Sequence, residues 1–503
     1  MAKYKHSDIE NGQGLFLTVN LKEQLLPGTF EHMLNDLIGK RIDISVFDKN
    51  YKNDETGAKA IPPSVLIKLI IYGYSKGIKS SRKLSELCAR NIIAKALAEG
   101  MEPHWTTIAD FISSNSEIFR EIFVKVLAYC AGLKLIGGET FAIDGLRLPS
   151  NASISLSGTK KELEKRLELY QRMAEKHITK HKSQDERGEL DSVSEERYQT
   201  RQKKLNRQIE KIDGFLENME KKAGKKGKEI KSNVTDNESA MIKTGSGFIQ
   251  GYIGLAVSDK RNQIIVSADA AGNTNEGEYL AQMLDDTLRN MKDVDVKPAE
   301  GKKRIMMGDG NYYSEENLKA CQDMNIEAII PDNYARRGVD TIGEKRYEVV
   351  DFKYCEEGNY YECPNGKKLE YKRINMLSGR EGKLYQANVK DCRICPLSAR
   401  CIKSKKEIRK IDNGRKIFIT HSNEPGSLCA VMREKLKTVE YQDHYSYRIQ
   451  IVEPVFANIK HCKGLNRFTL RGKNKVSGQW NLFCIVHNLW KCLKGYNESM
   501  GYT

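Results

Sequence analysis

Two apolar runs that each end in an isolated aspartate constrain the fold of this chain most. Thr140 to Ile143 leads to Asp144, and Ile305 to Met307 leads to Gly308-Asp309-Gly310. Between them the pattern predicts two strands, joined near residues 258–262, and then a helix. A short helix and another strand follow Asp309. Strands and helices in this order predict an α/β core that presents two carboxylates at strand ends.

The rest of the chain divides into segments of different periodicity. One segment steps by 4, 3, 4 and 3 residues through Leu205, Ile209, Ile212, Leu216 and Met219, which indicates a coiled-coil seam. The predicted organisation is a helical N-terminal region, 1–137; the first part of the core, 138–155; a charged helical hairpin insertion, 156–231; the second part of the core, 232–335; a Cys-rich β insertion, 336–424; and C-terminal helices that complete the core, 425–503.

The charge of the chain points to a polyanionic partner. Its 503 residues are too many for one ordinary core, and its formal net charge is +16. Such an excess of Lys and Arg is typical of proteins that bind nucleic acid, although a basic but inert surface is the alternative. No run approaches the ~20 apolar residues that span a bilayer, so we expect no membrane partner and a cytoplasmic location. Disulfides among the 12 cysteines are not expected there.

Basic residues concentrate around one predicted helix–turn junction in the N-terminal region. They are Lys79, Arg82, Lys83 and Arg90. Short helices with a basic turn between them favour a DNA-binding head. The alternative is a solvated helical bundle that only supports another domain.

A third acidic residue comes from the C-terminal helices. In RIQIVEPVFANIK, an apolar stripe is predicted at Ile449, Val452, Phe456 and Ile459. Glu453 lies beside this stripe, and Lys460 follows two turns later. Three carboxylates suit a divalent cation site in which Mg²⁺ activates water and stabilises the leaving oxygen of a phosphodiester. Taken singly, the aspartates are ordinary turn residues and Glu453 a charge at the rim.

Four cysteines have the spacing of a metal site. Cys363 is followed by Cys392, Cys395 and Cys401, which is enough for a tetrahedral structural Zn²⁺. Free thiols in a small core and an iron–sulfur cluster are the alternatives, and Cys355 is an alternative fourth ligand to Cys363.

Several of these segments resemble one family. FAIDGLRLPSNAS, GDGNYYSEENL, CRICPLSARC and YRIQIVEPVFANIKHCKGLNRFTLRG are similar to the DDE transposases of bacterial insertion sequences, in the branch with a DUF772-like helical N-terminal region and a cysteine-rich insertion before the final Glu. The resemblance covers most of residues 138–492. It implies a ribonuclease H-like core. The second Asp is followed by Gly310-Asn311-Tyr312, where the family usually has a small residue, Gly and Tyr.

The resemblance also implies roles for individual residues. Asp144, Asp309 and Glu453 match the catalytic triad that binds Mg²⁺ or Mn²⁺. Arg448 and Lys460 match the basic residues around the Glu, and Tyr445 matches the signature tyrosine, which we expect at the DNA. The gap from Arg448 to Glu453 is one residue longer than in the commonest signature.

The activity implied is cleavage and strand transfer at the terminal inverted repeats of the element. Water and then the freed 3′-hydroxyl act as nucleophiles, without a covalent protein–DNA intermediate. A homodimer on double-stranded DNA, at element ends and target, is expected, in the bacterial cytoplasm and at the nucleoid when bound. The alternatives are a DNA-binding protein derived from a transposase that lacks catalysis, and a nuclease without strand transfer. Strand-transfer product separates the three.

Overall fold

The computed structural model describes residues 19–51, 59–187, 191–224, 227–332, 347–377, 380–402, 410–421 and 424–502. The first six helices are α1 (Phe30–Leu37), α2 (Pro63–Ser75), α3 (Ser81–Arg90), α4 (Ile92–Leu97), α5 (Trp105–Ser114) and α6 (Ser116–Gly132). Two prolines place the start of α2, as their fixed φ and missing N–H suit a first helical turn.

A mixed sheet follows this helical region. Its members are β1 (Thr140–Pro149), β4 (Ala240–Thr244), β5 (Gly247–Asp259), β6 (Ile265–Ala271), β7 (Arg304–Met307) and β8 (Ile326–Ile329). β1 pairs antiparallel with β5 and parallel with β7, and β7 pairs parallel with β8. The other edge of β5 pairs antiparallel with β4 at its start and with β6 further along. Helices α9 (Leu280–Asp293) and α10 (Glu315–Asp323) connect the later strands.

The first insertion is a helical hairpin that leaves the sheet after β1. It consists of α7 (Lys160–Asp185) and α8 (Ser192–Glu217). A two-residue ladder between β2 (Ser157–Gly158) and β3 (Ser232–Asn233) joins the chain at its base. Leu163 and Ile212 are fully buried where the two helices meet. The apolar seam predicted from the 4, 3 spacing thus packs between α7 and α8.

The second insertion is a separate antiparallel sheet. Its strands are β9 (Lys353–Cys355), β10 (Tyr360–Glu362), β11 (Lys368–Leu377), β12 (Arg380–Ala387) and β13 (Lys416–Thr420), in the order β13-β12-β11-β10-β9. It has a small core of its own, centred on Leu369, Tyr385 and Ile417. Two short helices, Val389–Arg393 and Ser398–Cys401, carry Cys392 and Cys401, and Cys395 lies between them.

Two long helices return to the mixed sheet. We call Val439–Ala457 the Glu453 helix and Lys473–Met500 the C-terminal helix. A shorter helix, Leu428–Lys435, precedes them. The Glu453 helix packs on β1, β5 and β8. The Trp480 indole donates a hydrogen bond to the carbonyl of Leu255 at 2.8 Å, so the C-terminal helix is anchored to β5.

The N-terminal helices share one hydrophobic core with the sheet and the C-terminal helix. The rings of Phe30 and Trp490 stack with centroids 4.6 Å apart, and those of Tyr74 and Phe483 with centroids 4.5 Å apart. The C-terminal helix is buried along most of its length because it is wrapped by α2, α5 and α6 on one side and β6 on the other. Within the described ranges, no helix combines the length and apolar character needed to cross a bilayer.

Candidate active site

The two predicted aspartates lie at the same edge of the sheet. The last register pair between β1 and β7 is Ala142 with Met307, and Asp144 and Asp309 each follow two residues later. Adjacent strands are about 5 Å apart, so matched positions beyond a parallel ladder stand side by side. The sequence predicted that Asp144 ends its strand, but the structure places it in the middle of β1. β1 continues to Pro149 because its second half still pairs with β5.

Asp144 is held by a buried arginine. Arg448 Nη2 donates to Asp144 Oδ2 at 2.7 Å, and the backbone N–H of Gly145 donates to Oδ1 at 2.8 Å. Arg448 is only 5% exposed. Burial raises the pKa of Asp144, Arg448 and the Gly145 N–H oppose that rise, and the negative charge of Asp309 adds to it. The carboxylate therefore feels both a fixed cation and a second acid.

Asp309 begins a short turn after β7. Its Oδ1 accepts from the backbone N–H of Asn311 at 2.9 Å, and its Oδ2 accepts from Asn311 Nδ2 at 3.1 Å. These bonds fix the carboxylate at the start of the turn Gly310–Tyr312. Asn311, which the resemblance marked as a departure, is therefore a residue that orients the second aspartate.

Glu276 is an acid of this site that the sequence analysis missed. It is 3% exposed and opens the turn before α9. Its Oε1 accepts from Asn311 Nδ2 at 2.7 Å and from Arg147 Nη2 at 3.2 Å. Burial raises the pKa of Glu276 most, and the charges of Asp309 and Asp144 raise it further. The position of Glu276, five residues after β6, could have indicated its place in the site. Strand β6 runs parallel to β1 and ends at the same edge of the sheet.

The Glu453 helix lies over the sheet largely as predicted, since Val452 and Ile459 are fully buried and Phe456 packs against the core, but Ile449 does not face inward. Its buried residues are Arg448, Ile451, Val452 and Val455. Ile449, predicted in the apolar stripe, is 48% exposed, because Arg448 occupies the inward position and pairs with Asp144. Glu453 and Lys460 are exposed. Tyr445 is half-buried and packs beside the cluster that contains Met307.

Comparison with known families identifies two parts of the chain. Residues 362–493 match the transposase DDE domain family, and residues 19–114 match the transposase domain family DUF772. Both matched families are transposase families, in agreement with the resemblance read from the sequence. The first match contains Glu453 and begins after both aspartates, so their assignment rests on the sheet geometry and the sequence resemblance.

Comparisons with individual proteins add little to this assignment. The chain matches no curated protein. A solved structure titled as the piggyBac transposase synaptic complex with hairpin DNA aligns at 10% identity and a TM-score of 0.33, over 94% of this chain and 76% of that chain. A likeness of that size supports no statement about this chain.

The acids of this site have the chemistry of a hard-cation site. Carboxylate oxygens are the ligands that Mg²⁺ and Mn²⁺ prefer. Asp144 and Glu276 both have raised pKa values, partly through neighbouring negative charge, which a divalent cation would relieve. Over the part of the chain that the structure describes, no three His, Cys, Asp or Glu side chains are arranged as a group that could hold a metal ion. The pairing of β1 with β7 brings Asp144 and Asp309 together, whereas Glu453 is exposed on its helix.

Four thiols of the second insertion interact with one another. Burial raises the pKa of Cys401 to about 11, and the charges of Cys392, Cys363 and Cys395 add to the rise. Backbone N–H groups donate to two of the sulfurs at 3.4 Å, Lys367 to Cys363 and Arg415 to Cys392. Cys355 instead interacts with Tyr360. The charges of the predicted set with Cys363 therefore influence one another, whereas Cys355 is not among them, and within the described ranges these thiols are not arranged as a group that could hold a metal ion.

The basic residues of α3 and its preceding turn differ in their surroundings. Lys79 Nζ donates to the carbonyl of Gly464 at 2.9 Å, and burial lowers its pKa. The Arg82 guanidinium lies 4.7 Å from the ring centre of Trp105, and Arg90 pairs with Glu86 at 2.9 Å. Arg82, Lys83 and Arg90 are all exposed. Three of the four are open to solvent, whereas Lys79 ties the N-terminal region to the loop before the C-terminal helix.

Proposed function

We propose that this transposase cleaves DNA at the terminal inverted repeats of its own insertion sequence and joins the freed ends to target DNA. One observation carries the proposal. Parallel pairing of β1 and β7 brings Asp144 beside Asp309, and the Arg448 guanidinium covers Asp144. An acidic pair on adjacent strands of a basic protein suits phosphodiester chemistry on a polyanion.

The strand order supports a ribonuclease H-like core in this proposal. Five strands run β6-β5-β1-β7-β8, with β5 antiparallel to its neighbours β1 and β6. All four strands other than β5 then point the same way, so the segments after β1, β6 and β7 reach one edge. Asp144, Glu276 and Asp309 come from those three strands or the turns after them.

Each residue has a defined task in the proposed reaction. Asp144 and Asp309 bind the catalytic cation, and Glu453 is its third acidic ligand. When bound, Mg²⁺ or Mn²⁺ lowers the pKa of the attacking water and stabilises the leaving oxygen. Arg448 fixes the orientation of the Asp144 carboxylate, and Asn311 does the same for Asp309.

Two further assignments belong to the proposal. The cysteine cluster of the second insertion holds a structural Zn²⁺, supported by the N–H···S bonds to Cys363 and Cys392. Arg82, Lys83 and Arg90 contact DNA phosphates, which their exposure supports. Lys79 contributes by fixing the turn before α3, since its ammonium group is bonded to the loop at Gly464.

The test compares acid-to-amide variants on DNA that carries the element ends. Asp144→Asn, Asp309→Asn and Glu453→Gln should each lose cleavage by several orders of magnitude with Mg²⁺, because a ligand of the activating cation is removed. Binding of the same DNA should be nearly unchanged. The matched control is Asp236→Asn, which alters a buried acid bonded to Tyr252 and the start of the C-terminal helix.

The outcome separates the candidate functions. Cleaved and joined product from the wild type supports a transposase, and cleaved product alone supports a nuclease. Binding without either product would indicate a DNA-binding protein that lacks catalysis. Full activity in one of the three acid variants would remove that residue from the site.

A further inference from the structure

Three buried polar atoms around the aspartates have no hydrogen-bond partner among the described residues. They are Glu276 Oε2, Tyr312 Oη and Arg448 Nε. Buried polar atoms are nearly always paired, so a group of unpaired ones indicates a missing ion or water. The Tyr312 hydroxyl is close enough to the acids for Glu276, Asp144 and Asp309 all to raise its pKa, after burial itself. Glu276 Oε2 and Tyr312 Oη are oxygens that can contact a cation or a water, whereas Arg448 Nε–H is a donor that only an acceptor such as water can satisfy.

The free oxygen of Glu276 points toward β1 next to Asp144. A Cβ atom built on Gly145 would stand only 2.4 Å from Glu276 Oε2. The glycine thus leaves the space that the carboxylate occupies. The other oxygen, Oε1, is bonded to Asn311, and Asn311 is also bonded to Asp309. Glu276 is therefore linked to both aspartates through their immediate neighbours.

We propose that Glu276 is a fourth acid of the cation site, with its free Oε2 as a ligand to a divalent cation bound by Asp144 and Asp309. The inference rests on the proposed function and adds a ligand to it. Its chemistry is that of a hard cation such as Mg²⁺ or Mn²⁺, because only carboxylate oxygens are offered.

A purely structural ion pair with Arg147 explains the burial of Glu276 less well. Arg147 Nη2 reaches only Oε1, at 3.2 Å, and the Arg147 side chain is 39% exposed. A buried carboxylate that served only this pair would place both oxygens on donors. Instead one oxygen is left free on the side of β1 that carries Asp144, where two other negative charges already raise its pKa. A cation among the three carboxylates satisfies the free oxygen and neutralises that charge.

The experiment measures Mn²⁺ binding to the full chain without DNA, by electron paramagnetic resonance and calorimetry. Removing a group that supports a metal site typically weakens affinity 10–100-fold, and Glu276→Gln should lose at least tenfold. Asp144→Asn should lose binding as well. Asp236→Asn is the matched control, because Asp236 is also buried and also has one unpaired oxygen, and it should bind as the wild type does.

A second variant and a direct observation guard against misfolding of the first. Gly145→Ala keeps every acid and places a methyl group against Glu276 Oε2 and Ile253 Cγ2, so it should also weaken Mn²⁺ binding, and urea unfolding of the variant in EDTA checks that it still folds. In crystals of the wild type soaked with Mn²⁺, the anomalous peak should lie within bonding distance of Glu276 Oε2. A peak bonded to the aspartates but remote from Glu276 would overturn the proposal.

The remaining outcomes separate this inference from the proposed function. Affinity of Glu276→Gln within twofold of the wild type, with loss in Asp144→Asn, would overturn the role of Glu276 and leave the transposase proposal intact. Absence of Mn²⁺ binding by the wild type would also overturn it. Weakened binding in Glu276→Gln, in a chain that neither cuts nor joins DNA, would support the cation site and refute the function.

Discussion

Replacing Arg448 with Met should destabilise the protein, and Mn²⁺ should restore part of the lost stability. Arg448 Nη2 and Asp144 Oδ2 are 2.7 Å apart, and the two side chains are 6% and 24% exposed. Opposite charges about 4 Å apart interact by about 4 kcal/mol at an effective dielectric constant of about 20. Removing one partner of a buried pair costs about 3–5 kcal/mol. Because water still reaches Asp144, we expect the free energy of unfolding of Arg448→Met to be about 3 kcal/mol lower than that of the wild type in EDTA.

The repair follows because the arginine and the cation neutralise the same carboxylate. Without Arg448 the site is more negative, and Mn²⁺ should bind the variant more tightly than the wild type. Tenfold tighter binding is worth about 1.4 kcal/mol. At saturating Mn²⁺ the stability difference between variant and wild type should therefore fall from about 3 to about 1.6 kcal/mol.

Urea unfolding in EDTA and in Mn²⁺ measures both values. Fluorescence of Trp480 is a suitable reporter, because its ring stacks against Phe456 of the Glu453 helix with centroids 6.3 Å apart. Arg433→Met is the matched control, since Arg433 pairs with buried Asp332 at 2.9 Å. It should lose stability equally in EDTA and in Mn²⁺. If Mn²⁺ leaves the stability difference between Arg448→Met and the wild type unchanged, the idea that the cation and Arg448 neutralise the same Asp144 carboxylate is refuted.

Three other predictions concern metal, DNA and pH. Elemental analysis should find about one zinc per chain, which Cys392→Ser loses and Cys355→Ser keeps; no zinc, with unchanged unfolding after chelation, would indicate free thiols. Arg82→Ala with Lys83→Ala should flatten the slope of log affinity against log salt by up to about two, at about 0.9 per phosphate contact; an unchanged slope and affinity would make the basic cluster a solvated face. Burial lowers the pKa of His487 from 6.5 to about 4, so between these pH values the unfolded chain binds more protons than the folded chain. The free energy of unfolding should therefore fall by about 3 kcal/mol as the pH drops from 6.5 to 4. In His487→Gln this loss should disappear from the pH dependence of urea unfolding, and its persistence would contradict the assignment.

Local patterns predicted the elements that carry the aspartates. The apolar run before Asp309 is β7, and the run before Asp144 is the first half of β1. The paired prolines mark the start of α2. These features depend on neighbours in sequence, so the sequence alone was sufficient to recognise them.

Features that depend on distant partners were predicted less well. Helical spacing predicted Ile449 inside, but Asp144, some 300 residues earlier, provides the partner that buries Arg448 instead. Glu276 looked like an ordinary acid at a helix start, because only the alignment of β6 with β1 brings it to the aspartates. The sequence pattern does not delimit the ten-residue strand β11, since most of its residues are exposed and polar.

The shared core of the N-terminal helices and the C-terminal helix has a consequence for how the protein is made. The partner of Tyr74 is Phe483, about 400 residues later. At about 5–20 residues per second, a ribosome needs roughly 20–80 seconds to reach it. During that time the apolar faces of α2 and α6 lack the helix that covers them. We therefore expect newly made chains to need chaperones in that interval, and a message cut short before residue 473 to yield a polypeptide prone to aggregation.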